Sequence, residues 1–340
     1  MKRINVLLLI LLVPAMLSAQ FVSDVSKRGT TAASFLSISQ GARAAGMGSA
    51  FTAVADDPSA IFWNAAGVAR LKQNGVLFDH TEWFAGIGYN FAAANFNLGE
   101  FGTLGASFII SDIGEMNVNT IEEPDGTGET FSVGDAAFSI AWAINLTDNF
   151  SIGLNPKFVY QSIWKMSDYA FAIDLGVLYN TPFKGITLGA SITNFGTKMQ
   201  LDGTSSVVLY DGDEESTGNN DRIPSRLQMD AWDLPLGFKV GLAYRPFQSG
   251  VHNLILAVDA AHPNDNYEYL NLGGEYTFND MFTVRGGYKS LLLEDSEESF
   301  TLGAGIKQQI MGNINIRFDY SYSDFGVLKD VQKFSVAINF

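Results

Sequence analysis

Lys333-Phe-Ser-Val-Ala-Ile-Asn-Phe340 is apolar at every second position and ends on an aromatic ring. Such alternation belongs to a strand with one greasy and one polar face. A chain that stops on it is expected to close an outer-membrane-type β-barrel. That expectation makes two demands: every earlier strand shows one lipid-compatible face, and the strand number is even.

Counting back, the alternation repeats. Two weaker runs, Val76 to Trp83 and Ile87 to Phe96, open the series. Later runs carry Leu104 to Ile110, Ala136 to Ile144, Ile152 to Tyr160, Phe171 to Tyr179 and Leu188 to Ile192. Phe238 to Tyr244, Leu254 to Ala260, Leu270 to Phe278, Phe282 to Tyr288, Leu302 to Ile306 and Ile314 to Tyr320 precede the last one. The total is 14 antiparallel strands, each near the ~9–11 residues that cross a bilayer at a tilt.

Charge tests this more sharply than counting, because a Lys or Arg facing mid-membrane lipid costs ~2–4 kcal/mol. Asp135, Lys157, Asp174, Lys239, Asp259, Glu275, Arg285, Lys289, Arg317, Asp319 and Lys333 all fall on the polar parity of their strands. Glu268 falls on the other, at a strand end. Loop lengths agree with the even count. Connections at Leu146–Asn149, Thr181–Gly185, Pro246–Gly250 and Asn279–Asp280 are short, whereas Ile113–Thr130 and Gly196–Leu234 are long and lie on the opposite side. A periplasmic C-terminus with long extracellular loops is therefore expected.

Composition points the same way, though a soluble all-β sandwich stays open on composition alone. Charged residues make up only 17 % and Gly numbers 34. The absence of cysteine excludes disulfides, thiol nucleophiles and Cys-based metal sites. A net charge of −15 argues against nucleic acid, which needs clustered Lys and Arg. Met1 to Ala19, with Lys2 and Arg3 before an apolar run, reads as a signal peptide.

Residues 20–74 differ from the barrel region, 75–340. They are rich in Ala, Gly and Ser and lack alternation, and small residues at this density let backbone pack in a confined space. Asp57 before Pro58 reads as a helix start, with Gly67 as its end and Val68 to Leu71 as a further turn.

No catalytic residues, cofactor or metal site are expected. His80, His252 and His262 have no nucleophile elbow beside them, and Gly46-Met-Gly48 lacks the rest of a phosphate-binding fingerprint. Asp211-Gly-Asp-Glu-Glu215 departs from the EF-hand pattern at Ser216 and Arg222. The acidic stretch is expected to be a solvated loop, with an irregular calcium site as the alternative. Lys157 with Asp174, and Glu275 with Arg285, are expected to pair across neighbouring strands and pin register. Arg43 and Asp56 are candidates for fastening the N-terminal block to such groups.

Gly41-Ala-Arg-Ala-Ala-Gly-Met-Gly-Ser-Ala-Phe-Thr-Ala-Val-Ala-Asp-Asp-Pro-Ser-Ala60, running into Trp63-Asn-Ala-Ala-Gly67, resembles the PorV/PorQ family. Phe171-Ala-Ile-Asp-Leu-Gly-Val-Leu-Tyr179, Ile192-Thr-Asn-Phe-Gly196 and Val284-Arg-Gly-Gly-Tyr288 extend the likeness. That family is similar in architecture to FadL fatty-acid transporters, so the resemblance implies a 14-stranded outer-membrane barrel with residues 20–74 as a hatch in its lumen. It marks Arg43, Gly46, Gly48, Asp56, Asp57, Pro58, Asn64 and Gly67 as hatch-motif residues, with Ala65 where the family's short motif carries proline. It further implies lipid as a partner and a role in type IX secretion, through cargo proteins or other secretion subunits meeting the extracellular loops. The runner-up is a FadL-like transporter of a hydrophobic ligand, and a general porin stands third. An inward parity of mostly Gly, Ala, Ser, Asn and charge, with Val159 and Leu178 as exceptions, leans against a greasy tunnel.

Overall fold

The alternating runs become the wall of a closed barrel in the computed structural model, which describes residues 27–212, 222–293 and 296–340. The expected signal peptide and residues 213–221 of the acidic loop lie outside the described residues. The fourteen wall strands are β1 (Gly75–Glu82), β2 (Gly88–Asn97), β3 (Thr103–Asp112), β4 (Thr130–Thr147) and β5 (Phe150–Ile163). They continue with β6 (Met166–Asn180), β7 (Ile186–Gly196), β8 (Gly237–Gln248), β9 (His252–Pro263) and β10 (Tyr269–Phe278). The last four are β11 (Phe282–Leu291), β12 (Phe300–Met311), β13 (Ile314–Asp324) and β14 (Asp330–Asn339).

Each strand pairs antiparallel with its neighbours in sequence. The final strand returns to the first, with Gly75 opposite Asn339 and Glu82 opposite Gln332. Closure leaves the wall without an open edge, which lipid demands because it offers no hydrogen-bond partners. Among the described residues no helix is long and apolar enough to cross a membrane.

Side-chain parity sorts the two faces. Phe78, Phe108, Phe138, Phe171, Phe238 and Leu256 stand exposed on the outside. Asp135, Lys157, Asp174, Asp259, Glu275, Arg285, Asp319 and Lys333 are buried on the inside. Lys239, Lys289 and Arg317 share that parity and are half-buried. Glu268 lies just before β10, beside His262 at 2.8 Å.

One end of the barrel, called here the turn end, carries the connections 98–102, 148–149, 181–185, 249–251, 279–281 and 312–313, none longer than five residues. Asn279 and Asp280 there take φ of 54° and 51°, the left-handed pair that suits tight hairpins between twisted strands. The opposite, loop end carries 113–129 and 197–236. Two expected turns are corrected. β4 runs on through Leu146 and Thr147 past a register shift after Asn145. β8 runs through Pro246 to Gln248, where the proline, which has no N–H, sits in the register shift between Tyr244 and Phe247.

The described residues before β1 thread the lumen along its length. Ala32 donates to Asp233 O at 2.9 Å and Arg28 to Asn266 at the loop end. At the turn end Arg70 bonds Ser151 (3.0 Å) and Asn180 (2.7 Å), and Phe340 N–H reaches Asn74 O at 2.9 Å. Between these anchors the segment buries Phe51, Ile61, Trp63 and Val68 against the wall. Each such side chain is worth ~1.5–3 kcal/mol of hydrophobic burial. The inward parity is greasier than expected. Besides Val159 and Leu178, it places Leu77, Phe91, Ile109, Ile255 and Val331 in the lumen, and most of these meet the threaded segment.

Candidate functional site

The threaded segment is built from very short turns. Helix α1 (Ala42–Gly46) and helix α2 (Ala60–Trp63) are joined by irregular backbone, and a 3₁₀ stretch follows at Ala65–Arg70. Small residues permit this because backbone meets backbone. A Cβ on Gly48 would lie 2.4 Å from Leu272 O, and one on Gly67 would lie 2.1 Å from Ala55 O. Gly46 approaches Gly303 of the wall in the same way.

The expected helix start is partly corrected. Asp57 accepts the Ser59 N–H at 2.9 Å, as an N-cap carboxylate does, and Pro58 is buried in the entering turn, but regular helix begins only at Ala60. Gly67 does not end it. Asn64 does, with extended backbone at φ −160°, and its side-chain amide donates to Thr52 O (2.9 Å) and to Val177 O of the wall (3.0 Å). Gly67 falls inside the 3₁₀ stretch, where only the missing Cβ clears Ala55.

Hatch amides left bare by such short turns are taken up by the wall. Asp79 accepts the N–H groups of Gly41 (3.1 Å) and Ala42 (3.0 Å), and Asp259 those of Phe51 (2.9 Å) and Thr52 (2.8 Å). Thr301 accepts from Gly48 N at 2.9 Å, and Lys333 donates to Ser39 O at 2.7 Å. A buried N–H without a partner would cost ~1–3 kcal/mol, so these bonds fix where the hatch sits.

Toward the turn end six charges alternate in a ring. Arg43 donates both arms of its fork to Glu275, each at 2.7 Å. Arg285 reaches Glu275 at 2.6 Å and Asp319 at 2.8 Å. Arg317 joins Asp319 (2.6 Å) to Asp57 (2.7 Å), and Asp57 closes the ring to Arg43 at 3.2 Å. Asp56 then links Arg43 (2.5 Å) to Arg245 (3.1 Å). The hatch thus contributes Arg43 and Asp57 to a circuit whose other members stand on β10, β11 and β13.

Burial alone would raise the Asp57 carboxyl, but Arg317, Arg43 and the bond from Ser59 outweigh it and hold it at about 2, against 3.8 ordinarily. A group held down in the folded state contributes stability that is complete above its ordinary value and lost as pH falls through the folded one. The hatch should therefore stay seated down to about pH 4 and loosen as pH falls toward 2. Limited proteolysis across that range, with Asp57→Asn as the insensitive comparison, checks this.

Two clefts flank the hatch. The loop-end cleft, about 60 Å³, is bordered by Phe62, Trp63, Lys157, Lys239, Tyr269 and Lys289. The turn-end cleft, about 220 Å³, is bordered by Arg43, Asp56, Arg245, Glu275, Lys307 and Arg317.

Of the residue pairs expected from sequence, Lys157 and Asp174 meet at 2.7 Å and Glu275 and Arg285 at 2.6 Å. Asn194 joins the first pair: its side-chain oxygen accepts from Lys157 (2.8 Å) and its N–H donates to Asp174 (2.8 Å). Asp79 and Arg245 are functional-site residues that sequence reasoning missed. Arg245 shares the parity of Lys239 and could have been found by it. Asp79 sits in a run whose two faces, Val76-Phe78 and Leu77-Thr81, read alike. Among the described residues no cluster of metal-ligating side chains occurs.

The architecture has counterparts among solved structures. The Pseudomonas putida toluene transporter TodX matches with a TM-score of 0.56 at 12 % identity, over 88 % of this chain and 97 % of that one. The Ralstonia pickettii toluene transporter TbuX matches at 0.54 and 14 % identity, over 88 % and 97 %. A Pseudomonas aeruginosa FadL homologue matches at 0.51 and 12 %, over 87 % and 96 %. At such identities the likeness is one of fold. No curated protein matches the chain in sequence. The family model for type IX secretion system protein PorV matches residues 22–206. That match spans more than half of the chain, which therefore belongs to the PorV family and is an outer-membrane β-barrel of FadL-like architecture.

Proposed function

We propose that the barrel passes small molecules across the outer membrane, with residues 27–74 as its hatch and the turn end facing the periplasm. The observation that carries this reading is the pair of clefts on either side of a single plug. The plug is held by apolar packing and by buried ion pairs and side-chain-to-amide bonds, and the polar contacts are ones that a solute's polar groups can replace. Aromatic walls and lysine heads at the loop-end cleft suit a solute with an apolar body and a polar end. Two of the fold neighbours, TbuX and TodX, are toluene transporters by name and side with this reading.

Service in protein secretion is the second reading, and the family description supports it. So does one feature of the 197–236 connection. Its strands Val207–Tyr210 and Ile223–Arg226 form a hairpin exposing Val207, Leu209, Tyr210 and Ile223. A two-stranded hairpin is marginal alone in water, and such a greasy one fits a protein surface that covers it.

Deleting residues 207–226 separates the two. The passage reading expects solute uptake by proteoliposomes to stay within about twofold of the full chain, since the cut lies outside both clefts. Loss of uptake would overturn it. Loss of surface-delivered cargo in cells, with uptake intact, would instead assign the loop to secretion.

A further inference from the structure

The lysines along the lumen are spoken for, with one exception. Lys157 pairs with Asp174, Lys289 with Glu298, and Lys307 with Asp280. Lys333 donates to Ser39 O and Thr81. Lys239 makes no ion pair or hydrogen bond among the described residues, and its ammonium lies 5.0 Å from the centre of the Trp63 ring. Asp259 on β9 stands opposite Gly241, and one of its carboxylate oxygens takes the amides of Phe51 and Thr52.

Register places a second donor in the same row. Lys239 on β8 stands opposite Ala261 on β9, and Ala261 opposite Tyr269 on β10. Adjacent strands lie ~4.8 Å apart, so Lys239 and Tyr269 face the cleft about 10 Å apart at their backbones, across a methyl-sized floor. The Tyr269 hydroxyl likewise makes no hydrogen bond among the described residues, although a tyrosine in such a wall ordinarily finds a partner. Both side chains border the cleft that Phe62 and Trp63 wall on its apolar side.

We propose that this cleft binds the carboxylate of a compact organic acid. The Lys239 ammonium, resting over the Trp63 ring, and the Tyr269 hydroxyl donate to its oxygens, and Phe62 covers its body. Lys157 and Lys289 also border the cleft, each already paired with a carboxylate, so the Lys239 ammonium is the charge left for the ligand. Asp265 at the rim, held by Thr31 at 2.9 Å, disfavours a second negative charge on the ligand. The cleft's 60 Å³ has room for about four to six waters, which fits a benzoate-sized acid and not a long acyl chain. As the first station of the passage the site rests on the passage reading, but binding is measurable apart from transport.

The test is titration calorimetry on the full chain in detergent micelles, with benzoate, its neutral counterpart benzamide, and sulfate. Benzoate is expected to bind, with benzamide and sulfate at least about tenfold weaker, and Lys239→Met should weaken benzoate about tenfold or more. Tyr269→Phe should weaken it severalfold, and Lys198→Met, at an exposed loop position, should leave it unchanged. Should Lys239→Met fail to fold by heat-modifiable mobility, Lys239→Arg keeps the charge and must retain binding. Equal binding of benzoate and benzamide, no binding of benzoate to the parent chain, or a silent Lys239→Met would each overturn the proposal. In the last case Lys239 merely balances Asp259. Binding without uptake would retire the passage reading and keep the site; uptake without binding would do the reverse.

Discussion

Arg43→Met should cost about 3–5 kcal/mol of hatch attachment, the toll of removing one partner from a buried ion pair. Arg43 is the only member of the six-charge ring that touches two ring acids from the hatch side, and its fork holds both oxygens of Glu275. Without it Glu275 keeps Arg285 and Asp57 keeps Arg317, but the ring carries an excess negative charge in a place water reaches poorly. The expected readouts are a hatch open to protease and a raised conductance in planar bilayers, with the wall strands still heat-modifiable as a barrel. Pairing Arg43→Met with Glu275→Gln restores charge balance around Arg285, Asp319, Arg317 and Asp57, so the double variant should lose less than the single one. Equal losses would mean that the ring holds the hatch by shape rather than by charge.

Gly48→Val should be at least as severe, by a different cause. Gly48 has φ of 61°, and a Cβ there would meet Leu272 O at 2.4 Å and Tyr288 N at 2.8 Å. Left-handed strain costs ~1–2 kcal/mol for a residue with a Cβ, and a clash with the backbone of two wall strands adds several more. Those strands cannot yield without breaking their ladder, so the hatch must leave its seat. Gly99→Ala separates strain from contact. Its φ is 66° with nothing nearby, so it should lose only the first part. A Gly48→Val chain whose hatch stays protease-resistant would show that the segment seats otherwise.

These two positions also mark how far the sequence can be read. The wall is legible because lipid punishes charge at every second residue, and Lys157, Asp174 and Arg317 betray their parity through that penalty alone. The final strand is legible through its unbroken alternation, and it pairs with β1 in the structure. Asn194 is not: its φ of 62° and the register shift between Ile173 and Leu175 answer to Lys157 and Asp174, which no local pattern announces. The hatch is harder still. Arg43 meets Glu275 across 232 residues and Asp57 meets Arg317 across 260, so the partners follow from closure of the barrel and from nothing in the hatch itself. Density of Gly and Ala does signal close backbone packing, but it does not say which wall glycine receives which turn. Helix-terminus rules misplace the end at Gly67 because crowding by Ala55, not left-handed backbone, selects that glycine.

The central claim is that the hatch sits in the lumen and must move for a solute to pass. The chain has no cysteine, so a single engineered disulfide can test this cleanly. Ala42→Cys with Ser335→Cys joins α1 to β14 where the Ala42 N–H already meets the Ser335 hydroxyl at 2.7 Å. Uptake of small anionic and neutral aromatics by proteoliposomes should stop when the pair is oxidised and return when it is reduced. A disulfide that forms and leaves uptake unchanged would contradict the account.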